Sequence, residues 1–177
     1  MNMQEHDPGS ILDERAKWLA RRREDDTPVE ATVELLEFRL AQETYAVEHR
    51  WVVEASPFKE LTPLPCTPPF IRGVINLRGR ILPVLDLKRF FDLPEKGITD
   101  LHRIIFVRGN EMEFGLLADS VTGVQVLPER MLQPSLPTLT GIRADYLKGV
   151  TAGRLVVLDL QRIFTDPRIL VNEEVEG

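Results

Sequence analysis

Chemistry is scarce in this sequence. A single cysteine, Cys66, rules out an internal disulfide. The three histidines, His6, His49 and His102, stand far apart and have no metal-ligand spacing. None of Ser10, Ser56, Ser120 and Ser135 has the glycine-flanked context of a nucleophile elbow. No phosphate-binding loop or dinucleotide fingerprint occurs. Cys66 lies among prolines with no histidine close in sequence, so it is a poor nucleophile. His49 and His102 read as surface residues of strands or loops. Positive charge is also short. A net charge of −6 and a pI near 5.2 argue against a phosphate backbone as the main partner. No apolar run is long enough to span a membrane, and the polar stretch Met1 to Ser10 has no signal-peptide core. These absences point to a cytoplasmic, non-catalytic protein without cofactor, metal or membrane insertion.

The chain is 43 % hydrophobic, enough for one good core or two small ones. Residues 1–32 read as an extension. Within it, Ile11, Leu12, Ala16, Trp18 and Leu19 recur at helical spacing, which predicts an amphipathic helix over 10–24. Its other face is basic, with Arg15, Lys17, Arg21, Arg22 and Arg23. From Val33 the pattern turns to strands. Val33 to Leu40 and Tyr45 to Val47 flank a turn at Gln42-Glu43, and Trp51-Val52-Val53 starts another strand. Residues 56–70 are a proline-rich loop. Ile104 to Val107 and Met112 to Leu117 flank the hairpin signal Arg108-Gly109-Asn110-Glu111. Val121 to Leu127 reads as a strand broken at Gly123, and residues 128–146 as a long loop. Tyr146 to Thr151 and Arg154 to Leu158 form a hairpin, followed by a short helix at Asp159 to Phe164. Residues 168–177 are a tail.

The chain is organised around residues 71–87. Val74, Ile75 and Leu77 form one apolar run and Ile81 to Leu85 a second, joined at Arg78-Gly79 because glycine supplies positive φ without steric cost. Asp86 then stands where a helix N-cap belongs. The odd member is Arg78, a large cation at the tip of an apolar hairpin.

This segment has an echo. Asp86 to Pro94 matches Asp159 to Pro167 at five of nine positions. Ile71-Arg72-Gly73-Val74 matches Leu147-Lys148-Gly149-Val150, and Gly79-Arg80 matches Gly153-Arg154. Tyr45-Ala46-Val47 lines up with Phe114-Gly115-Leu116, and Val52 with Val121. Each copy holds about five strands, the number a small closed barrel needs. The fold expected over 33–167 is therefore mainly β: two five-stranded barrels packed together, with short helices. Residues kept in both copies serve the fold, so Asp86 and Asp159 are caps and not a catalytic pair. The second copy has no counterpart of Asn76-Leu77-Arg78, and that is where function is expected.

Thr67 to Gly79 and Pro83 to Leu87 resemble the signature of the CheW-like domain of bacterial chemotaxis, shared by coupling proteins and the regulatory domain of the histidine kinase CheA. The likeness runs from about Val33 to Phe164. It implies two SH3-like barrels and an adaptor that joins the cytoplasmic helical hairpin tip of a chemoreceptor to the regulatory domain of CheA, in membrane-associated arrays. It implies a groove between the barrels, with Val52, Glu54, Gly73, Asn76 and Arg78 on one side and Val121 and Val124 on the other. Such a groove suits helix docking, with an apolar floor and polar rim. Two features depart from the family: the long extension before Val33, and Trp51, bulky and near the groove. Trp51 there would retune partner choice, and the extension fits a system other than flagellar chemotaxis, such as a twitching or developmental pathway. Arg78 reads either as a partner contact or as a brace for its own turn. From a different class, an SH3-like nucleic-acid-binding protein stays open, favoured only by the basic face of 10–24.

Overall fold

A computed structural model describes residues 16–17, 29–134 and 142–169. The chain divides into two units, Met1–Ala31 and Thr32–Gly177. In the first, Ala16 and Lys17 are helical and exposed, and the rest of the helix expected over 10–24 lies outside the described residues. Among its described residues the second unit holds ten strands and a few single-turn helices.

The strands are β1 (Thr32–Leu40), β2 (Glu43–Glu48), β3 (Val52–Pro57), β4 (Ile71–Leu77) and β5 (Arg80–Asp86), then β6 (Arg103–Gly109), β7 (Met112–Ala118), β8 (Ser120–Pro128), β9 (Leu147–Val150) and β10 (Val156–Leu158). Three short helices, α1 (Leu87–Phe90), α2 (Ile142–Asp145) and α3 (Leu160–Phe164), complete it. One sheet runs β8-β1-β2-β10-β9 and the other β3-β6-β7-β5-β4. The two orders map onto each other strand for strand under the repeat, down to one parallel pair in each, β10 with β2 and β5 with β7.

The copies are interleaved. Each sheet takes the leading hairpin of one copy, β1–β2 or β6–β7, and the three later strands of the other. Neither copy of the repeat is a barrel by itself. This ties the two halves of the chain together through backbone hydrogen bonds.

Each sheet closes in the same way. The chain beyond β3 turns back so that Thr62 and Val74 exchange hydrogen bonds of 2.9 and 2.8 Å. The chain beyond β8 does the same through Gln133 and Val150, at 3.0 and 2.9 Å. Here the shared glycines find their reason. A Cβ on Gly73 would stand 2.4 Å from the Thr62 carbonyl oxygen, and one on Gly149 would stand 2.9 Å from that of Gln133. Only glycine allows the closing segment so near.

Alternation along the strands sorts the apolar residues into three cores. Val33 and Leu35 of β1 point into one barrel with Ala46, Leu155 and Val157. Ile75, Leu82, Val84, Ile104, Phe106 and Leu117 fill the other. The largest cluster lies between the barrels, where Leu36, Phe38, Leu40 and Tyr45 meet Leu85, Ile105, Phe114 and Leu116. Phe90 and Phe91 of the α1 end and Ile163 and Phe164 of α3 also enter it, and packing reaches Ile169. The helices are set by their caps. Asp86 Oδ1 accepts the backbone N–H of Lys88 at 3.0 Å and of Arg89 at 3.4 Å, and Asp159 Oδ1 accepts that of Arg162 at 3.3 Å.

Several local expectations shift. The first turn is Ala41-Gln42, because Leu40 pairs with Glu43, and Ala41 takes φ +55°. β8 is continuous through Gly123, whose φ of +153° coincides with a register shift opposite Glu37 and Phe38. Trp51 ends a 3-10 turn, His49–Trp51, before β3 begins. The long loop before β9 contains a second such turn, Glu129–Met131, and α2.

Candidate functional site

The hairpin β4–β5 pairs Leu77 with Arg80, which leaves a two-residue turn at Arg78-Gly79. Both turn residues have positive φ, +51° and +85°, the requirement of the type I′ hairpin turn. Glycine accepts this freely, and arginine carries the strain. The Asn76 side chain supports the turn, its Oδ1 accepting the Gly79 N–H at 2.8 Å. The Arg78 side chain leaves the hairpin and reaches β3, where Nη2 lies 2.6 Å from Glu54 Oε2. It is 76 % exposed and the Glu54 side chain 25 %, so the pair is presented to solvent while anchored at its acidic end.

The seven residues expected in the site have different placements. Arg78, Glu54 and Asn76 come together at the tip. Val52 lies two residues before Glu54 on β3 and packs against the edge of the inter-barrel cluster. Val121 packs against that same cluster from the other barrel. Val124, also on β8, is 48 % exposed and belongs to an outward row with Thr122 and Val126. Gly73 is buried under the Thr62 carbonyl, where its task is closing the barrel. The hydrogen bonds and ion pairs of the described residues make no link between the tip and Val121 or Val124.

Trp51 stands edge-on to Phe164 at 5.7 Å, and the Arg50 guanidinium lies 4.9 Å over its ring. Its bulk is therefore spent partly on the inter-barrel cluster.

One polar centre escaped the sequence reading. His102, taken there as a surface residue, is 3 % exposed. The Thr99 backbone N–H donates to its Nδ1 at 3.0 Å, and its Nε2 lies 3.0 Å from Asp119 Oδ1 without making a hydrogen bond. That oxygen accepts from the ammonium of Lys88, itself 3 % exposed, while Asp119 Oδ2 accepts the Ala41 N–H at 2.7 Å. One carboxylate thus joins the β1–β2 turn of one barrel to α1 and the start of β6 beside the other. The apolar surroundings explain why these charges are paired. The signal was present in Lys88, a charge inside the apolar sequence Leu87 to Phe91.

The same end of the hairpin carries a second cluster. Arg80 and Arg108 both bond Glu113 Oε2, Arg108 through Nε at 3.0 Å and Nη2 at 2.9 Å. Burial works to raise the Glu113 carboxyl, but the two guanidinium hydrogen bonds outweigh it and hold the group below its ordinary value.

The geometry sets an exposed ion pair beside partly buried apolar side chains of the strands. A family model described as the CheW-like domain matches residues 34–168. This chain belongs to that family. It is 32 % identical to the chemotaxis protein CheW of Thermotoga maritima over 145 residues, 80 % of this chain and 93 % of that protein. It is 38 % identical to Protein FrzA of Myxococcus xanthus over 114 residues, 64 % of this chain and 70 % of that one. The crystal structure of the scaffolding protein TtCheW from Thermoanaerobacter tengcongensis superposes with a TM-score of 0.70 at 31 % identity, covering 78 % of this chain and 96 % of that one. The chain is a CheW-like scaffold of the chemotaxis type, with mainly β architecture in two five-stranded sheets. Among the described residues no helix is long and apolar enough to cross a membrane.

Proposed function

We propose that this chain is a non-catalytic adaptor that couples chemoreceptors to the histidine kinase CheA, in the cytoplasm and within membrane-associated receptor arrays. The receptor's helical hairpin tip lays its apolar face along Val52 and Val121 at the edges of the two barrels, with Val124 extending the track on β8. Arg78 and Glu54 set its register from the rim, and the regulatory domain of the kinase is the second partner. The observation that carries this reading is the exposed Arg78–Glu54 pair on a hairpin tip that the second copy of the repeat lacks. An exposed pair of this kind stabilises the fold by about 1 kcal/mol at most, so its geometry is better explained by a partner.

The test is a charge swap. Arg78→Glu and Glu54→Arg each weaken assembly with a receptor cytoplasmic fragment and the kinase regulatory domain. In the double variant the internal pair can re-form. Continued loss of assembly supports direct contact with a partner. Full recovery reduces Arg78 to a brace for its own hairpin.

A second reading places the adaptor in a non-flagellar chemosensory pathway. It is favoured by the 38 % identity to FrzA and by the bulk of Trp51 beside Val52. Recovery of the native partners from the source cell separates the two.

A further inference from the structure

The repeat provides an internal control for charged side chains. Lys148 on β9 answers to Arg72 on β4, and the ammonium of Lys148 is met by the buried carboxylate of Glu48. Arg72 has no such partner. Among the described residues its guanidinium makes no hydrogen bond; its one carboxylate within 4.0 Å is Asp86 Oδ2, and its charge also acts on Glu95 from farther off. Asp86 is shared with Arg89 at 3.9 Å, and its Oδ1 is occupied by the backbone of α1. Burial also raises the Asp86 carboxyl above its ordinary value, which weakens it as a counter-charge.

The Arg72 side chain is nevertheless only 26 % exposed. A five-donor cation this deep ordinarily meets acceptors. It lines a surface cavity of about 440 Å³, with Phe58, Leu61, Pro63 and Ile71 as apolar walls and Arg89 and Glu60 beside them. Arg89 is already engaged, by Glu95 at 2.6 Å and by the Pro69 carbonyl at 3.2 Å. Arg72 is the cation whose hydrogen-bond donors stay open. Glu60 is exposed and repels a second negative charge, so the cavity suits one carboxylate and not a cluster.

We propose that this cavity docks a segment of a protein partner in which one carboxylate side chain adjoins an aliphatic one. The carboxylate takes the Arg72 fork in bidentate fashion, and the aliphatic group lies on Phe58, Leu61 and Pro63. A free small carboxylate would gain only the charge contact, whereas a segment also covers the apolar wall. The inference rests on the adaptor reading in that it requires a protein partner. Its location is separate, because six residues of strand put Arg72 about 20 Å from Arg78.

The test is an amide-shift titration of the full-length, isotope-labelled chain with acetyl-Leu-Glu-amide, acetyl-Leu-Gln-amide and acetate. The acidic peptide is expected to move the amides of Leu61 and Ile71 and the Nε–H of Arg72, with the neutral peptide about tenfold weaker. Acetate moves only Arg72, and more weakly. Arg72→Gln abolishes the shifts, with thermal unfolding followed in parallel. Pro63→Glu leaves the Asp86 contacts untouched and puts a carboxylate on the rim, so it lowers affinity by about tenfold while the fold is kept. Arg78→Ala leaves the titration unchanged, so the tip and the cavity fail or succeed independently. Equal response to both peptides, acetate as effective as the acidic peptide, no shifts at about 20 mM peptide, or binding that survives both Arg72→Gln and Pro63→Glu overturns the proposal.

Discussion

In the first copy of the repeat, β4 and β5 are seven residues each and run to a two-residue turn that projects an arginine. In the second, β9 and β10 are four and three residues long and meet through Thr151 to Leu155, close to the barrel. Both hairpins close a barrel through a glycine, and both are followed by an aspartate-capped helix that sends phenylalanine side chains between the barrels. What the short hairpin retains is what closing a barrel requires. What the long hairpin adds, Asn76-Leu77-Arg78, closes no barrel: Asn76 holds the turn, Leu77 packs on the barrel core and Arg78 is exposed. The cores and caps are the constant part of the comparison, and the surface charges are the variable part.

The comparison can be broken first at the glycines. Gly73→Ala puts a methyl group against the Thr62 carbonyl at a residue whose φ is +145°, so clash and backbone strain add. The expected loss is about 3 kcal/mol or more in chemical denaturation. Gly149→Ala faces the looser approach to Gln133 at 2.9 Å and should cost about 1–2 kcal/mol. Equal losses would mean that the tighter approach and the positive φ at Gly73 add nothing, and that the two closures are alike in cost.

The caps come next. Asp86 is 2 % exposed, holds two backbone N–H groups and faces two guanidiniums, so Asp86→Ala should cost about 2 kcal/mol. Asp159→Ala removes one backbone acceptor from a more open site and should cost about 1 kcal/mol.

A third difference is a polar latch found in the second copy. Phe70 precedes β4, and its counterpart before β9 is Tyr146. The Tyr146 hydroxyl bonds Asp166 and accepts from Arg168 at 2.6 Å, and the Arg168 guanidinium lies 4.6 Å over the Phe90 ring. Burial pushes the Asp166 carboxyl up, but hydrogen bonds from Arg168 and Tyr146 more than offset this and hold it below its ordinary value of 3.8. A carboxyl with its folded pKa lowered stabilises the fold above that ordinary value. The contribution is lost as pH falls through the lowered one. Asp166→Asn should therefore cost about 1–2 kcal/mol near neutrality, with the gap from the parent closing in acid. A gap that stays constant with pH would show that the latch does not depend on charge.

Much of this was legible from residue patterns. Alternation located the strands, and the repeated Asp-Leu-x-Arg pattern located α1 and α3. The missing counterpart of Asn76-Leu77-Arg78 marked the tip before any geometry was known. The exchange of β1–β2 and β6–β7 between the barrels was not legible. Apolar alternation says which face of Tyr45 to Val47 is buried, but is silent on which strand lies alongside. Asp119 with Lys88 and His102 was hidden for a similar reason, since its members come from three segments that meet only after the barrels form. Gly73 looked like a site residue because it sits in the most recognisable motif, yet its contact is the Thr62 carbonyl. The open guanidinium donors of Arg72 became visible only beside Lys148 and its partner Glu48.

The smallest expected effect on stability belongs to the residue with the largest expected role. Arg78→Ala should change unfolding free energy by no more than about 0.5 kcal/mol, because the side chain is mostly exposed. The decisive measurement sets it against Arg154→Ala, an exposed arginine in the short hairpin of the other copy. Both variants are assayed for co-assembly with a receptor cytoplasmic fragment and the kinase regulatory domain. Arg78→Ala is expected to weaken assembly at least about tenfold, with Arg154→Ala indistinguishable from the parent. Equal behaviour of the two variants, or unfolding of Arg78→Ala with normal binding by its folded fraction, would contradict the assignment of function to the tip.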